Sequence, residues 1–555
     1  MLIRAFRVNC ETLPITTRGN HFMNATVFRN HGLLTLRPRH WRPSLFSRTA
    51  VAAFCAVSAV MVHAASGDLD TSFGAGTGKV VTMNIGNPTP GISATAQATA
   101  LQPDGKLLVA GSCIHTYVAP ANYKADFCLV RYDAAGVLDP SFNGSGKVFT
   151  AIAGSIASAS AVAALPGGKI QLAGTCAFGA SLISNPGYQF CLVRYLSNGS
   201  LDTTFGSGGI VATTGTGSND LIFGMAVLPD GNTVVAGRCI GASGGFRACF
   251  ARYLPDGSLD TSFQSTGKVT TSVQATIAAF ARQPDGKLVV AGSCPGSANN
   301  FCVARFDADG NADLTFNSTG LVVTTIGTSP AGTGARSILL YPDGNILIVG
   351  PCQSGGAGNR FCVARYLPNG APDLAFNGSG QLILAAIGSN DYATGLRIQP
   401  DLKILISGSC TSGSVNNFCL VRLNANGSVD STFGSTGTVV ASMPSSTTLS
   451  VGSLTQQPDG NIVVAGGCGA NPPSSAFCAA RFLGGPGSNQ VCSMDVDGDG
   501  QITSTTDGLL LVRAASGITG AAITNGVGFN TNATRTTWPQ LRDFLMLHCG
   551  MSLTP

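Results

Sequence analysis

Pro103-Asp104-Gly105-Lys106-Leu107-Leu108-Val109-Ala110-Gly111-Ser112-Cys113 and Phe127-Cys128-Leu129-Val130-Arg131-Tyr132 decide the fold of this chain. The first stretch opens with a tight-turn triplet, continues as an apolar run and ends in a cysteine. The second opens with a cysteine and ends in arginine and tyrosine. The pair Cys113 and Cys128 returns as Cys176 and Cys191, Cys239 and Cys249, Cys294 and Cys302, Cys352 and Cys362, Cys410 and Cys419, and Cys468 and Cys478. Each pair falls at the same place in a block of about 60 residues, so the cysteines set the period of an internal repeat.

Every block also contains an Asp-x-x-Phe turn followed by a short β-rich run, as in Leu69-Asp70-Thr71-Ser72-Phe73 and Gly78-Lys79-Val80-Val81-Thr82. The turn phenylalanine recurs at 73, 142, 205, 263, 316, 376 and 433, at intervals of 69, 63, 58, 53, 60 and 57 residues. An alternating run ending in Pro-Asp-Gly comes next, then the two cysteine runs. Period-2 alternation, β-branched residues and Gly/Pro punctuation make all four pieces strands. Pro-Asp-Gly joins the second and third as a hairpin, and the cysteines join the third and fourth. Antiparallel neighbours bring such residues within disulfide reach. Each bridge should contribute roughly 2–3 kcal/mol by closing a short loop. Pairing within each block is the expected connectivity, and it makes every bridge join the last two strands of a blade.

Four strands per block and seven blocks predict an all-β, seven-bladed β-propeller. The block resembles the delta-60 repeat of secreted and surface bacterial proteins over residues 68–483, through its LDxxF, PDGK and FCxxRY signatures. The resemblance implies a propeller-like fold and brings no catalytic residues with it. Departures occur at Gly167, at Leu402 and at Ala248, which replace the turn acid, the turn glycine and the phenylalanine. No spare strand is evident at either end to close a ring.

Composition agrees with this picture. Charged residues are 11% of the chain and glycines number 72, which suits short strands and turns. The net charge of +5 comes from the first 64 residues, where eight arginines face one acid, Glu11. The rest is close to neutral, which gives no electrostatic case for nucleic acid or an anionic membrane. Residues 1–64 read as a signal peptide or leader. Arg42 and Arg48 precede the apolar run Ala50–Val62, and Val62-His63-Ala64 offers a cleavage site. The run is too short to span a bilayer comfortably; the other reading is an N-terminal anchor, and Met23 is an alternative start. Export to the periplasm, the cell surface or the medium is expected, and it permits disulfides.

Residues 65–483 form the repeat region, 484–491 (Gly-Gly-Pro-Gly-Ser-Asn-Gln-Val) a linker and 492–555 a C-terminal module. Asp495-Val-Asp497-Gly-Asp499-Gly500-Gln501-Ile502-Thr503 matches nine positions of a Ca²⁺ loop. Carboxylates at alternate positions converge on a hard cation, and Asp507, at position thirteen, is the candidate closing acid. The metal candidates are Asp495, Asp497, Asp499, Gln501, Thr503 and Asp507. A helix over Thr506–Ser516 offers Leu509, Leu510 and Val512 for packing, and a second runs over Thr536–His548. The tail resembles a dockerin-like, EF-hand-like module, although its second segment lacks the aspartate pattern. Cys492 and Cys549 are expected to bridge its ends.

Catalytic signals are sparse. Beyond the leader only His115 and His548 remain, and no glutamate. The cysteines are committed to bridges, so no nucleophile–base pair stands out, and the expectation is a non-enzyme. The repeated aspartates and arginines read as turn acids paired with strand arginines, against a ring of metal ligands. The loops within the cysteine pairs differ from blade to blade, Ile114–Phe127 and Ala177–Phe190 being long and Pro295–Phe301 short, and variable loops on a rigid scaffold carry recognition. Tyr117, Tyr123 and Tyr188 are the ligand-binding candidates. The function expected is a monomeric binding or structural scaffold for an extracellular protein or glycan. The alternative is a polysaccharide-active lyase or hydrolase using aspartates.

Overall fold

The computed structural model describes residues 12–15, 23–26 and 65–547, the last without 86–92, 119–121, 153–155, 179–186, 214–217, 242–243, 295–299, 329–333, 355–357, 435, 444–447, 470–474, 486–495, 498–500, 502, 532 and 534. The chain divides into two compact units, Met1–His63 and Ala64–Pro555. In the first, the strands Thr12–Ile15 and Met23–Thr26 pair antiparallel. The apolar run Ala50–Val62 lies outside the described residues. Among the described residues no helix is long and apolar enough to cross a membrane.

The second unit is a series of propeller-like sheets followed by short helices. Five sheets have four antiparallel strands each. One has eight, in two four-stranded halves that meet at a single parallel bridge, Ala125 to Ile156. A representative blade runs Ser218–Val227, Thr233–Ile240, Phe246–Tyr253 and Lys268–Gln274, paired in that order. The two middle strands are buried nearly end to end, because both their faces are covered by neighbouring blades. This is why the cysteine runs read as continuous apolar stretches. The inner strand Ala94–Leu101 alternates between buried and half-buried positions.

All seven cysteine pairs of the repeat are disulfides, in the connectivity expected. Cys113 is bonded to Cys128, Cys176 to Cys191, Cys239 to Cys249, Cys294 to Cys302, Cys352 to Cys362, Cys410 to Cys419 and Cys468 to Cys478, with Cα atoms 5.7–6.0 Å apart.

The place of these bridges in the blade corrects the block drawn from sequence. Cys128, Cys191, Cys249, Cys302, Cys362, Cys419 and Cys478 each lie on the third strand of a blade, not on the fourth as expected. The run after the Asp-x-x-Phe turn is the outermost strand, not the first. Hydrogen bonds decide this: Arg131 N–H donates to Gly146 and Asp139 N–H to Arg131, so the turn continues directly from the second cysteine strand. The disulfides therefore join the two middle strands, not the last two.

The same shift answers the question of closure, and the expectation that neither end has a spare strand is wrong. Lys79–Thr82 pairs with Ser475–Phe482, placing Val81 opposite Cys478. Leu69 bridges to Phe482, and Gly67 N–H donates to the Leu483 carbonyl at 2.7 Å. Phe73, Leu107, Val109, Val463, Ala465 and Phe477 share one core, so the first and last blades pack together. Across this seam the Tyr132 and Thr82 hydroxyls are 2.6 Å apart, and Arg481 donates to the Ala134 carbonyl.

One face of the array is locked by the repeated arginines and aspartates, as the turn reading expects. The pairs are Arg131–Asp139, Arg194–Asp202, Arg252–Asp260, Arg305–Asp313, Arg365–Asp373, Arg422–Asp430 and, across the seam, Arg481–Asp70, all at 2.6–2.9 Å. Most of these guanidinium groups also reach a carbonyl of the next blade: Arg131 to Ser197 at 2.7 Å and Arg422 to Gly484 at 2.5 Å. Each also lies over its own turn phenylalanine, as Arg131 does over Phe142 at 4.4 Å. Burial pushes the Asp139 carboxyl up, but Ser141 and the charge of Arg131 hold it below the usual carboxylate range. These aspartates are thus occupied inside their own turns. Leu402 adopts a left-handed φ of 63° where other blades have glycine, and it packs on a core cluster that partly offsets the strain.

Candidate functional site

The inner strands line an axial cavity of about 390 Å³. All but one of those described carry a β-bulge. The register skips Gln97, Ser160, Phe223, Ala278, Thr394 and Gly452, and all six line the cavity. Arg336 takes the equivalent place beside the strand Ser337–Leu340, its N–H donating to Val349 at 2.7 Å. The bulge pushes a backbone carbonyl of the inner strand against the second strand, where a glycine receives it. A Cβ on Gly111, Gly174, Gly237, Gly292, Gly350, Gly408 or Gly466 would stand 1.8–2.2 Å from that carbonyl oxygen. These glycines sit two residues before each first cysteine, a signal visible in the sequence that motif reading passed over.

Gly237→Ala should therefore lower stability by about 2–3 kcal/mol, the cost of overpacking a closed site. Gly187→Ala, with no atom within 4 Å of its Cβ, should change stability by less than about 0.5 kcal/mol. Thermal denaturation of both variants checks this. Equal melting temperatures would remove the bulge explanation.

The disulfide hairpins lie on the face opposite the arginine-locked turns. The first is not the loop expected over Ile114–Phe127. It continues past the disulfide as a two-stranded ribbon, Leu107–Val118 with Asn122–Tyr132. Tyr117 and Tyr123 are register partners in it. Tyr188 is half-buried on the strand Gly187–Tyr195, opposite Ala177. The three tyrosines thus belong to two neighbouring hairpins.

The C-terminal module has helices at Asp507–Ala515, Ala521–Thr524 and Trp538–Leu547. Its core contains Val496, Leu510, Ala514, Ile523, Trp538 and Leu541. Val512, expected to pack, is 63% exposed, because the helix turns Leu510 and Ala514 inward. Of the metal candidates, Asp497, Gln501, Thr503 and Asp507 are described; Asp495, Asp499, Cys492 and Cys549 lie outside the described residues. Asp497 is fully buried. Asp507 accepts N–H bonds from Val496 at 2.6 Å, Asp497 at 3.1 Å and Thr503 at 2.8 Å. Burial pushes its carboxyl up, but these N–H groups hold it below the ordinary range. The anion therefore gathers the segment around the start of the helix.

Residues 102–142, 168–205, 228–263, 283–316, 342–376 and 399–433 match a family model described as domain of unknown function (DUF5122) beta-propeller. No curated protein matches the chain. Among solved structures, Sqt1 from Chaetomium thermophilum is 12% identical, covering 71% of this chain and 96% of its own, with a TM-score of 0.33. A polysaccharide lyase, PL25 ulvan lyase, is 10% identical, covering 74% of this chain and 95% of its own, at 0.38. An alpha-L-arabinofuranosidase, arb93a from Fusarium graminearum, is 11% identical, covering 58% of this chain and 91% of its own, at 0.33. The expectation of a non-enzyme is corrected. A shortage of histidine and glutamate does not exclude chemistry carried by aspartates.

Proposed function

We propose that this chain is an exported seven-bladed β-propeller that recognises an extracellular protein or glycan through its disulfide-hairpin face, with a calcium-stabilised C-terminal module. One observation carries the reading. The turn face repeats the same Arg–Asp lock in every blade, whereas the disulfides on the other face enclose separations of 15, 15, 10, 8, 10, 9 and 10 residues. Length varies where the frame is pinned, as it does in recognition surfaces. Seven disulfides suit an oxidising compartment, and the boundary between the two compact units, after His63, falls within one residue of the expected cleavage site.

The test is an exchange of hairpins. Replacing 114–127 by 295–301 should abolish binding to whatever the parent captures on a glycan array or a panel of extracellular proteins, with an unchanged melting temperature. Full retention of binding would refute the role of the first hairpin.

Calcium is supported by the acid concentrated at the start of the module. Asp497 is buried beside Asp507, within a segment that also carries Asp495 and Asp499. Oxygen ligands of this kind suit a hard cation, which would offset their charge. Calorimetric titration of the chain without its leader should show one saturable site, weakened at least about tenfold by Asp497→Asn. No heat from the parent protein would end the calcium reading.

A further inference from the structure

We propose that Arg336, backed by Arg238 where it packs over Phe223, forms a site at the axial cavity for the carboxylate or sulfate group of an acidic saccharide. The site goes beyond the hairpin reading, since it is built on strand residues that a hairpin exchange leaves in place.

Arg336 stands beside its inner strand at the place the bulge residues hold in other blades, and it lines the cavity. Its guanidinium donates to the Tyr392 hydroxyl at 3.1 Å and lies 5.6 Å from the centre of that ring. Arg238 stands on a middle strand of another blade. It is not itself part of the cavity wall; it lies over Phe246 at 4.5 Å and over the cavity-lining Phe223 at 5.6 Å. Its Nε is buried without a hydrogen-bond partner. Burial, and after it the like charge of Arg336, pulls the Arg238 guanidinium below its usual range.

The contrast with the turn arginines gives the inference its weight. Each of those is matched to an aspartate within 3 Å. Among the described residues no carboxylate lies within 4 Å of Arg238 or Arg336. Cations packed on aromatic faces, with no carboxylate beside them, favour an incoming anion, and the planar guanidinium of Arg336 on the cavity wall matches a carboxylate or sulfate in two-point hydrogen bonding.

The rest of the cavity suits a sugar rather than a bare ion. Phe223 and Phe280 offer apolar surface for the C–H face of a pyranose ring. Gln97 and Ser160 line the cavity, as does Thr394, whose buried hydroxyl has no hydrogen-bond partner. These groups can pair with sugar hydroxyls. A volume of about 390 Å³ falls within the ~300–1,000 Å³ of small-ligand sites and is too small for a protein surface.

The experiment uses the chain from Ala65 to Pro555. Oligogalacturonate, alginate oligomers and a chondroitin sulfate hexasaccharide are titrated alongside carboxyl-reduced galacturonate oligomers and inorganic sulfate. At least one acidic oligosaccharide should bind at least about tenfold more tightly than the reduced oligomers and the free sulfate, and weaken as salt rises. Arg336→Gln, an exposed position, should lose about tenfold or more in affinity at an unchanged melting temperature, with Arg336→Lys intermediate. The hairpin-exchanged chain should bind like the parent, which separates failure here from failure of the hairpin reading. The proposal falls if none of the acidic oligosaccharides binds, if free sulfate binds as well as they do, or if Arg336→Gln binds like the parent.

Discussion

A chain lacking Ser66–Thr82 is expected to lose cooperative unfolding. That segment supplies the outer strand Lys79–Thr82 of the last blade, its turn and the fully buried Phe73. Losing a buried phenylalanine alone costs about 3–5 kcal/mol, against a total stability of about 5–15 kcal/mol for a typical domain. The deletion also exposes Ser475–Phe482 as an unpaired edge, open to association with other chains. A rescue distinguishes closure from simple truncation. Leu483 N–H donates to the Asp68 carbonyl as Asp133 N–H does to Val137, so Gly484 and Ser66 stand where Ala134 and Ala135 stand in the first blade. Moving residues 66–82 to lie between Gly484 and Gly485 should restore a single transition within a few degrees of the parent. A deleted chain that melts like the parent, followed by calorimetry and circular dichroism, would refute the seam.

Arg365→Met is expected to cost about 3–5 kcal/mol, because it strands a buried carboxylate. The Arg365–Asp373 pair is 2.7 Å apart, with both side chains under a tenth exposed. Arg365 also donates to the Ala425 carbonyl of the next blade at 2.5 Å and lies over Phe376 at 4.8 Å. No lysine salt bridge to Asp373 is formed among the described residues, whereas Asp430 has Lys403 at 3.1 Å. The loss should therefore not be buffered. Adding Asp373→Leu should recover part of it by removing the stranded charge. Ligand capture should be unchanged, since this face is structural. Chemical denaturation measures the first effect, and a variant as stable as the parent would show that the lock contributes little.

Much of this was legible in the residues. Each disulfide partner is near in sequence and each blade carries one pair, so local spacing identified the bridges. The Arg–Asp pairing was legible for the same reason, since Arg131 and Asp139 are eight residues apart. The helices were readable too, although packing rather than pattern turned Leu510 inward and Val512 outward.

The starting strand of a blade was not legible. A repeat of four strands looks the same wherever it is cut, and the cut is decided by pairing between ends some 400 residues apart, as in Leu69 with Phe482. That is why Cys191 or Cys419 could be paired correctly from sequence and still be placed one strand too far out. The meaning of Gly111 and its six counterparts was hidden likewise, because a bulge is a mismatch between two strands and appears in neither one alone. Arg336 and Phe223, over which Arg238 lies, come from different blades and share one cavity only because the inner strands surround a common axis. The repeat, the bridges and the turn locks could be read from the residues alone, because they depend on short separations along the chain. The tertiary structure decided the strand phase, the closure and the cavity, because each depends on residues that only the assembled sheets bring together.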